Sequence, residues 1–150
     1  MSLRRMLLGA IVLLLAQAGI GMAVNLYVTV PSRHPGARPG NYVSGSFDSV
    51  AWAIGHGAAA LAVHASLGLA LVIVAVGVAV HGLRSRRRAV GAWSLLGGLF
   101  VIGAGFNGAS FLDFSHDISS LIMSLLAFGA IACYATALFV AGQRGPVPPT

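Results

Sequence analysis

The chain has 150 residues, of which 57% are hydrophobic and only 8% are charged. A soluble domain carries roughly 25% charged residues, so this chain lacks the polar side chains that would cover a globule in water. Its net charge of +6 comes from arginine alone, and the arginines are grouped at the ends of apolar stretches. This grouping argues against nucleic-acid binding. The length predicts a single domain, and the apolar composition predicts that its main partner is the lipid bilayer.

Four apolar stretches are long enough to cross a bilayer, which takes about 20 helical residues. They cover residues 6–30, 51–83, 93–110 and 118–141. Ala16-Gln17-Ala18 resembles a signal-peptide cleavage site, but the apolar run continues to Val30, which favours an uncleaved first helix. Because backbone groups in lipid must bond within their own segment, each stretch is predicted to be helical. The predicted fold is therefore all-α, an integral membrane four-helix antiparallel bundle.

The arginines predict the orientation of this bundle. They precede the first span, follow the fourth and crowd the connection 84–88, whereas the opposite side holds Arg33, Arg38 and all three aspartates. The positive-inside tendency then places both termini and the 84–88 connection in the cytoplasm, in a plasma-membrane protein. Residues 31–48 are rich in Pro, Gly and Ser, which predicts an extracytoplasmic loop without helix or strand.

Two histidines in the second predicted span are the first candidates for function, because ionisable groups inside a membrane are costly and usually functional. His56 and His64 are eight residues apart. On one continuous helix they would lie about 80° apart around the axis and about 12 Å apart along it, so both would face the bundle interior at different depths. Coming from one side, they cannot both be axial ligands of a single haem, so a partner on another helix is required.

His116, at the start of the fourth span, is the predicted partner. Imidazole is a common axial ligand of haem iron, and a neighbouring carboxylate usually orients it. We therefore expect a b-type haem held by His56 or His64 and by His116, for electron transfer or redox sensing with a redox partner. Asp113 or Asp117 would orient His116. The remaining predicted cofactor contacts are Gly57, Gly68 and Asn107.

Two alternatives remain open. The first is a copper or zinc site, for binding or transport at the outer face, because imidazole with carboxylate suits either metal. Its ligands would come from His56, His64, His116, Asp113 and Asp117, with His34 from the loop. The second is a non-catalytic subunit or homo-oligomer, or part of a larger membrane complex. The small-xxx-small pairs Ala104/Gly108 and Gly105/Ala109 would then pack against partner helices. No hydrolase or nucleotide-binding motif is present in the sequence, so no catalytic residues are predicted.

Overall fold

A computed structural model describes residues 2–114 and 117–143, with the side chain of Asp117 outside the description. All of the regular structure in these ranges is helical, which confirms the all-α prediction. The helices are α1 (Leu3–Tyr27), α2 (Tyr42–His56), α3 (Ala59–Leu83), α4 (Arg88–Phe114) and α5 (Asp117–Gly142).

Four of these helices, α1, α3, α4 and α5, are long and apolar enough to cross a membrane. Each has 25 to 27 residues, or about 38–40 Å at 1.5 Å per residue, which exceeds the roughly 30 Å of hydrocarbon in a bilayer. The boundaries differ from the predicted spans. The first helix ends at Tyr27 rather than at residue 30, and the third span, predicted as 93–110, extends from Arg88 to Phe114. For the third span, hydropathy marks only the apolar part of the helix, whereas the backbone hydrogen bonds of α4 continue into its polar flanks.

The four long helices form a ring in the order α1, α3, α4, α5, and each helix packs against its two neighbours. Adjacent helices run antiparallel. Asn25 near the end of α1 donates to Ser120 near the start of α5 at 2.7 Å, and Gly142 at the end of α5 lies beside Arg4 at the start of α1. Helix α2 lies outside this ring, against α3 and α4, at the end where α1 and α4 finish. This end of the bundle is called the α2 end below.

The second predicted span is not one helix. The prediction of a continuous helix over residues 51–83 is wrong, because α2 ends at His56 and α3 starts at Ala59. Gly57 has an extended backbone, and a Cβ there would lie 2.5 Å from the carbonyl oxygen of Ala53. The prediction that 31–48 contains no helix is also wrong from Tyr42 onward. The side chain of Asn41 caps α2 by accepting from the backbone N–H of Ser44 at 3.2 Å.

Buried hydrophobic residues form two separate clusters. The main cluster joins all four long helices and consists of Leu7, Ala10, Leu14, Leu71, Ala75, Val78, Val101, Ala130, Tyr134 and Ala137. The rim cluster lies at the α2 end and consists of Val24, Ala53, Leu61 and Leu112. On both α1 and α3 the two clusters are ten residues apart, or about 15 Å of helix. The residues between them include Gln17 on α1 and His64 on α3, two polar side chains.

Candidate functional site

A polar layer separates the two hydrophobic clusters where α1 faces α3. It consists of Gln17 and Gly21 from α1 and His64 and Gly68 from α3, one helical turn apart on each helix. Polar side chains at this depth are expensive in lipid unless they bond to one another or to a ligand. The layer therefore interrupts the apolar packing between α1 and α3 with polar side chains.

Gln17 and His64 hold α1 and α3 together in this layer. The side-chain amide nitrogen of Gln17 donates to the backbone carbonyl of His64 at 3.0 Å and lies 3.3 Å from the Nε2 of its ring. Donation to Nε2 places the ring proton on Nδ1. This Nδ1 and the Oε1 of Gln17 are both buried, and neither has a hydrogen-bond partner among the described residues. One donor and one acceptor in the layer thus remain available to a ligand.

The two glycines of the layer allow this close approach. A Cβ at Gly21 would lie 2.8 Å from Cε1 of His64, and a Cβ at Gly68 would lie 3.2 Å from Nε2 of Gln17. A larger residue at Gly21 would push the imidazole out of its position against α1. Of the glycines predicted as cofactor contacts, Gly68 lies in the polar layer beside Gln17, whereas Gly57 lies at the α2–α3 break.

A second polar cluster fastens α2 to the end of α4. Asp113 is only 2% exposed, and its two carboxylate oxygens accept hydrogen bonds from Ser46 Oγ at 2.9 Å and Ser49 Oγ at 2.6 Å. Its backbone carbonyl accepts from the N–H of Arg38 at 2.9 Å. Bonds to a charged acceptor are about twice as strong as neutral ones. Asp113 therefore links α4 to residues 31–56, the segment that precedes α3 in the chain.

His34 adds to this fastening from the loop before α2. Its Nδ1 lies 2.8 Å from the carbonyl of Pro35, and its Nε2 lies 3.2 Å from the carbonyl of Leu112. Its ring stacks on Trp52 of α2 with centroids 4.4 Å apart. Carbonyl oxygens only accept, so each contact requires an N–H donor on the ring.

The other predicted site residues have separate partners. His56 is exposed at the end of α2 and lines a shallow groove with Asp48 and Trp52. The expectation that His56 and His64 look into one interior from a single helix is therefore wrong. The amide of Asn107 donates to the carbonyl of Gly103 in its own helix at 3.1 Å, so among the described residues it bonds within α4.

The predicted partner ligand, His116, lies outside the described residues, as does the side chain of Asp117. Within the described part of the chain, no three His, Cys, Asp or Glu side chains come together as a metal site. The copper or zinc alternative thus gains no ligand set from residues 2–114 and 118–143.

Gln17, Ser46 and Ser49 belong to these two sites but lay outside the predicted set. Gln17 is one of the few polar residues within the first apolar stretch, and this interruption is a signal in the sequence. The serines of α2 carried no such signal, because a Ser-rich segment after Pro and Gly is typical of a loop.

No family model, curated protein or solved structure matches the chain. Its class therefore rests on its own fold. Four long apolar helices packed in an antiparallel ring indicate a multi-pass membrane protein. The chain also has a polar layer around the half-buried His64. A short additional helix, α2, is hydrogen-bonded to the buried Asp113.

Proposed function

We propose that the chain lies in the plasma membrane with both termini and the α3–α4 turn in the cytoplasm. The turn and the first residue of α4 carry four of the nine arginines. Arg87 donates to the carbonyl of Val140 near the end of α5 at 2.8 Å. Arg4 lies at the same end of the bundle, beside Gly142. Basic residues concentrated at one end favour a cytoplasmic position for that end.

Single cysteines on opposite ends test this topology. In a Cys133→Ala background, a membrane-impermeant maleimide applied to intact cells should label Ser32→Cys and leave Ser85→Cys unlabelled until the cells are opened. Labelling of Ser85→Cys alone in intact cells would show that the chain has the opposite orientation in the membrane.

We further propose that the polar layer binds a b-type haem, with His64 supplying one imidazole ligand. The observation that carries this proposal is the half-buried ring of His64, whose buried Nδ1 has no partner among the described residues, within about 15 Å of helix between two hydrophobic clusters. Gly21 brings the backbone of α1 close to this ring, and Gly68 brings the backbone of α3 close to Gln17. Haem, when bound, supplies one-electron chemistry at its iron, as electron transfer or redox sensing requires.

The chain's own residues would then have defined parts. Gln17, which now bonds the ring and the backbone of His64, would turn from Nε2 to free that nitrogen as a ligand. His116 stays the proposed second ligand. Asp113 is engaged by two serine hydroxyls, which leaves Asp117 as the better candidate to orient His116. A redox partner would approach from the α2 end, to which the layer is nearer.

The absorption spectrum of the full chain purified from haem-replete cells tests this proposal. We expect a Soret band that shifts on reduction with dithionite. His64→Ala should abolish it, whereas His56→Ala, a matched change at an exposed histidine, should leave it intact. A colourless protein that stays colourless with added haemin would rule out haem. Loss of the band in His56→Ala but not in His64→Ala would remove His64 as a ligand.

A second function, a non-catalytic helix-packing subunit, is favoured by a specific observation. The amide of Gln17 reaches two acceptors on His64, which makes the pair a clamp between α1 and α3 in its own right. Interhelical side-chain bonds of this kind contribute about 0.6–2 kcal/mol in lipid. The small residues Gly108 and Ala109 already pack within the chain, against α5 and in the buried core. A homo-oligomer or larger complex would therefore use other surfaces of the bundle.

Gln17→Leu separates the two functions. If the pair is only a clamp, this change lowers the melting temperature in detergent and produces no chromophore. If His64 binds haem, the change frees Nε2, so the Soret band should persist or strengthen at a given haemin concentration.

A further inference from the structure

Helix α2 presents three different surfaces around its axis. The surface against the bundle is small and buried, and it consists of Gly45, Ser46, Ser49 and Ala53. A second surface is exposed and polar or small, and it includes Ser44, Asp48 and Gly55. The third surface is apolar and consists of Val43, Phe47, Val50 and Ile54, at the helical spacing i, i+4, i+7, i+11. These four residues are called the apolar stripe below.

Three of the four residues of the apolar stripe are exposed although they are hydrophobic, and Val50, the one nearest the buried surface, is half-buried against the rim cluster. Val43 is 59% exposed, Phe47 74% and Ile54 37%. At about 100° per residue, the stripe spans only about 60° of the helix and lies about 115° from the centre of the buried surface. The stripe therefore does not face the bundle, and another apolar medium must cover it, because an ordered row of such side chains in water is unfavourable.

The position of α2 along the bundle identifies that medium. The hydroxyl of Tyr42, the first residue of α2, donates to the carbonyl of Phe106 at 3.1 Å and lies 2.7 Å from Ser110 Oγ. Phe106 is 18 residues beyond Arg88, or about 27 Å at 1.5 Å per residue, and Ser110 is about 33 Å beyond it. With Arg88 at one interface, the start of α2 lies at the far boundary of about 30 Å of hydrocarbon.

The spans at this level already expose apolar side chains. Phe106 on α4 is 57% exposed, and Leu26 at the end of α1 is also exposed. The stripe on α2 adds exposed apolar side chains near this level, because Tyr42, one residue before Val43, bonds to Phe106. Its opposite, polar surface carries Asp48, as expected of a helix that lies between hydrocarbon and water.

We infer that the apolar stripe of α2 binds the acyl chains of the outer leaflet, so that residues 42–56 form an interfacial membrane helix rather than part of a free extracytoplasmic loop. Two attachments then hold the helix. Phospholipid covers Val43, Phe47, Val50 and Ile54, and Asp113 binds Ser46 and Ser49 on the buried side. The segment before α2 is thereby held against the α2 end of the bundle.

Spin labels on neighbouring residues test the inference in the full chain, in a Cys133→Ala background reconstituted into phospholipid vesicles. Phe47→Cys and Asp48→Cys are a matched pair, adjacent in sequence but about 100° apart on the helix. Leu69→Cys, on the exposed apolar side of α3, gives the lipid reference, and Arg86→Cys gives the aqueous reference. Relaxation by oxygen reports hydrocarbon, and relaxation by a water-soluble nickel chelate reports the aqueous phase.

We expect the label at residue 47 to match the lipid reference, with several-fold greater relaxation by oxygen than by the chelate, and the label at 48 to show the reverse. Val43→Cys repeats the measurement on the stripe if the label at 47 disturbs the helix. Equal and strong relaxation of 43 and 47 by the chelate would overturn the inference, because the stripe would then face water. Protection of both from oxygen and chelate would also overturn it and would point to a second protein chain as the cover.

Discussion

Replacement of Asp113 should release α2 from the bundle. Asp113→Leu removes the carboxylate that accepts from Ser46 Oγ and Ser49 Oγ, and it leaves both hydroxyls buried without that acceptor. A hydrogen bond to a charged group contributes about 1.5–3 kcal/mol, and two bonds to one carboxylate are not fully additive. We therefore expect the free energy of local opening of α2 to fall by about 2–4 kcal/mol. This corresponds to about a 30- to 700-fold larger opening constant.

Hydrogen exchange of the α2 amides, followed by mass spectrometry in mild detergent, measures this opening directly. Peptides covering residues 42–56 should exchange faster by that factor, whereas peptides from the middle of α5 should not change. Asp113→Asn keeps one carbonyl acceptor, so its effect should be about half as large in free energy. Asp48→Leu makes the same chemical change at an exposed aspartate of α2 and serves as the control. Unchanged exchange in Asp113→Leu, or an equal effect from Asp48→Leu, would refute the fastening role of Asp113.

Three further substitutions test close contacts elsewhere. Gly97→Ala should lower the melting temperature in detergent, because its Cβ would lie 2.5 Å from a buried tyrosine ring of α5, at a cost of about 1–3 kcal/mol. Gly9→Ala meets no atom and favours the helix, so it should not lower the melting temperature. Gly36→Ala should speed hydrogen exchange in the 31–56 segment, because this residue has φ of +86° and its Cβ would collide with α2. Gly40→Ala is the control: its Cβ meets no atom within 4 Å, so exchange should not change. His34→Phe keeps a ring to stack on the indole of α2 but loses both ring nitrogens that contact carbonyl oxygens. We expect faster exchange in the same segment, by less than for Asp113→Leu. No change would mean that stacking alone holds the ring.

The candidate site was only partly visible in the sequence. His64 stood out because an imidazole inside an apolar stretch is costly, and the structure places it in a buried layer. Its contact with Gln17 was not predictable, because the relative rotation and height of α1 and α3 depend on how their glycines pack. His56 has the same residue type and a similar sequence context, yet it is exposed, since the chain turns at Gly57 directly after it.

Composition and hydropathy by themselves determined that the chain is helical and has four long apolar segments, because a backbone in lipid must satisfy its hydrogen bonds within each segment. They did not determine where a helix breaks or which side chains meet. Only the tertiary structure decided that the stretch 51–83 is divided at Gly57 and that a helix starts at Tyr42 within an apparent loop. It also decided that Asp113 bonds two serines rather than a histidine. The hydrogen bonds of Asp113 join residues 64 and 67 positions apart, and Tyr42 at the start of α2 bonds to Phe106, 64 positions away. Local sequence patterns do not encode such contacts.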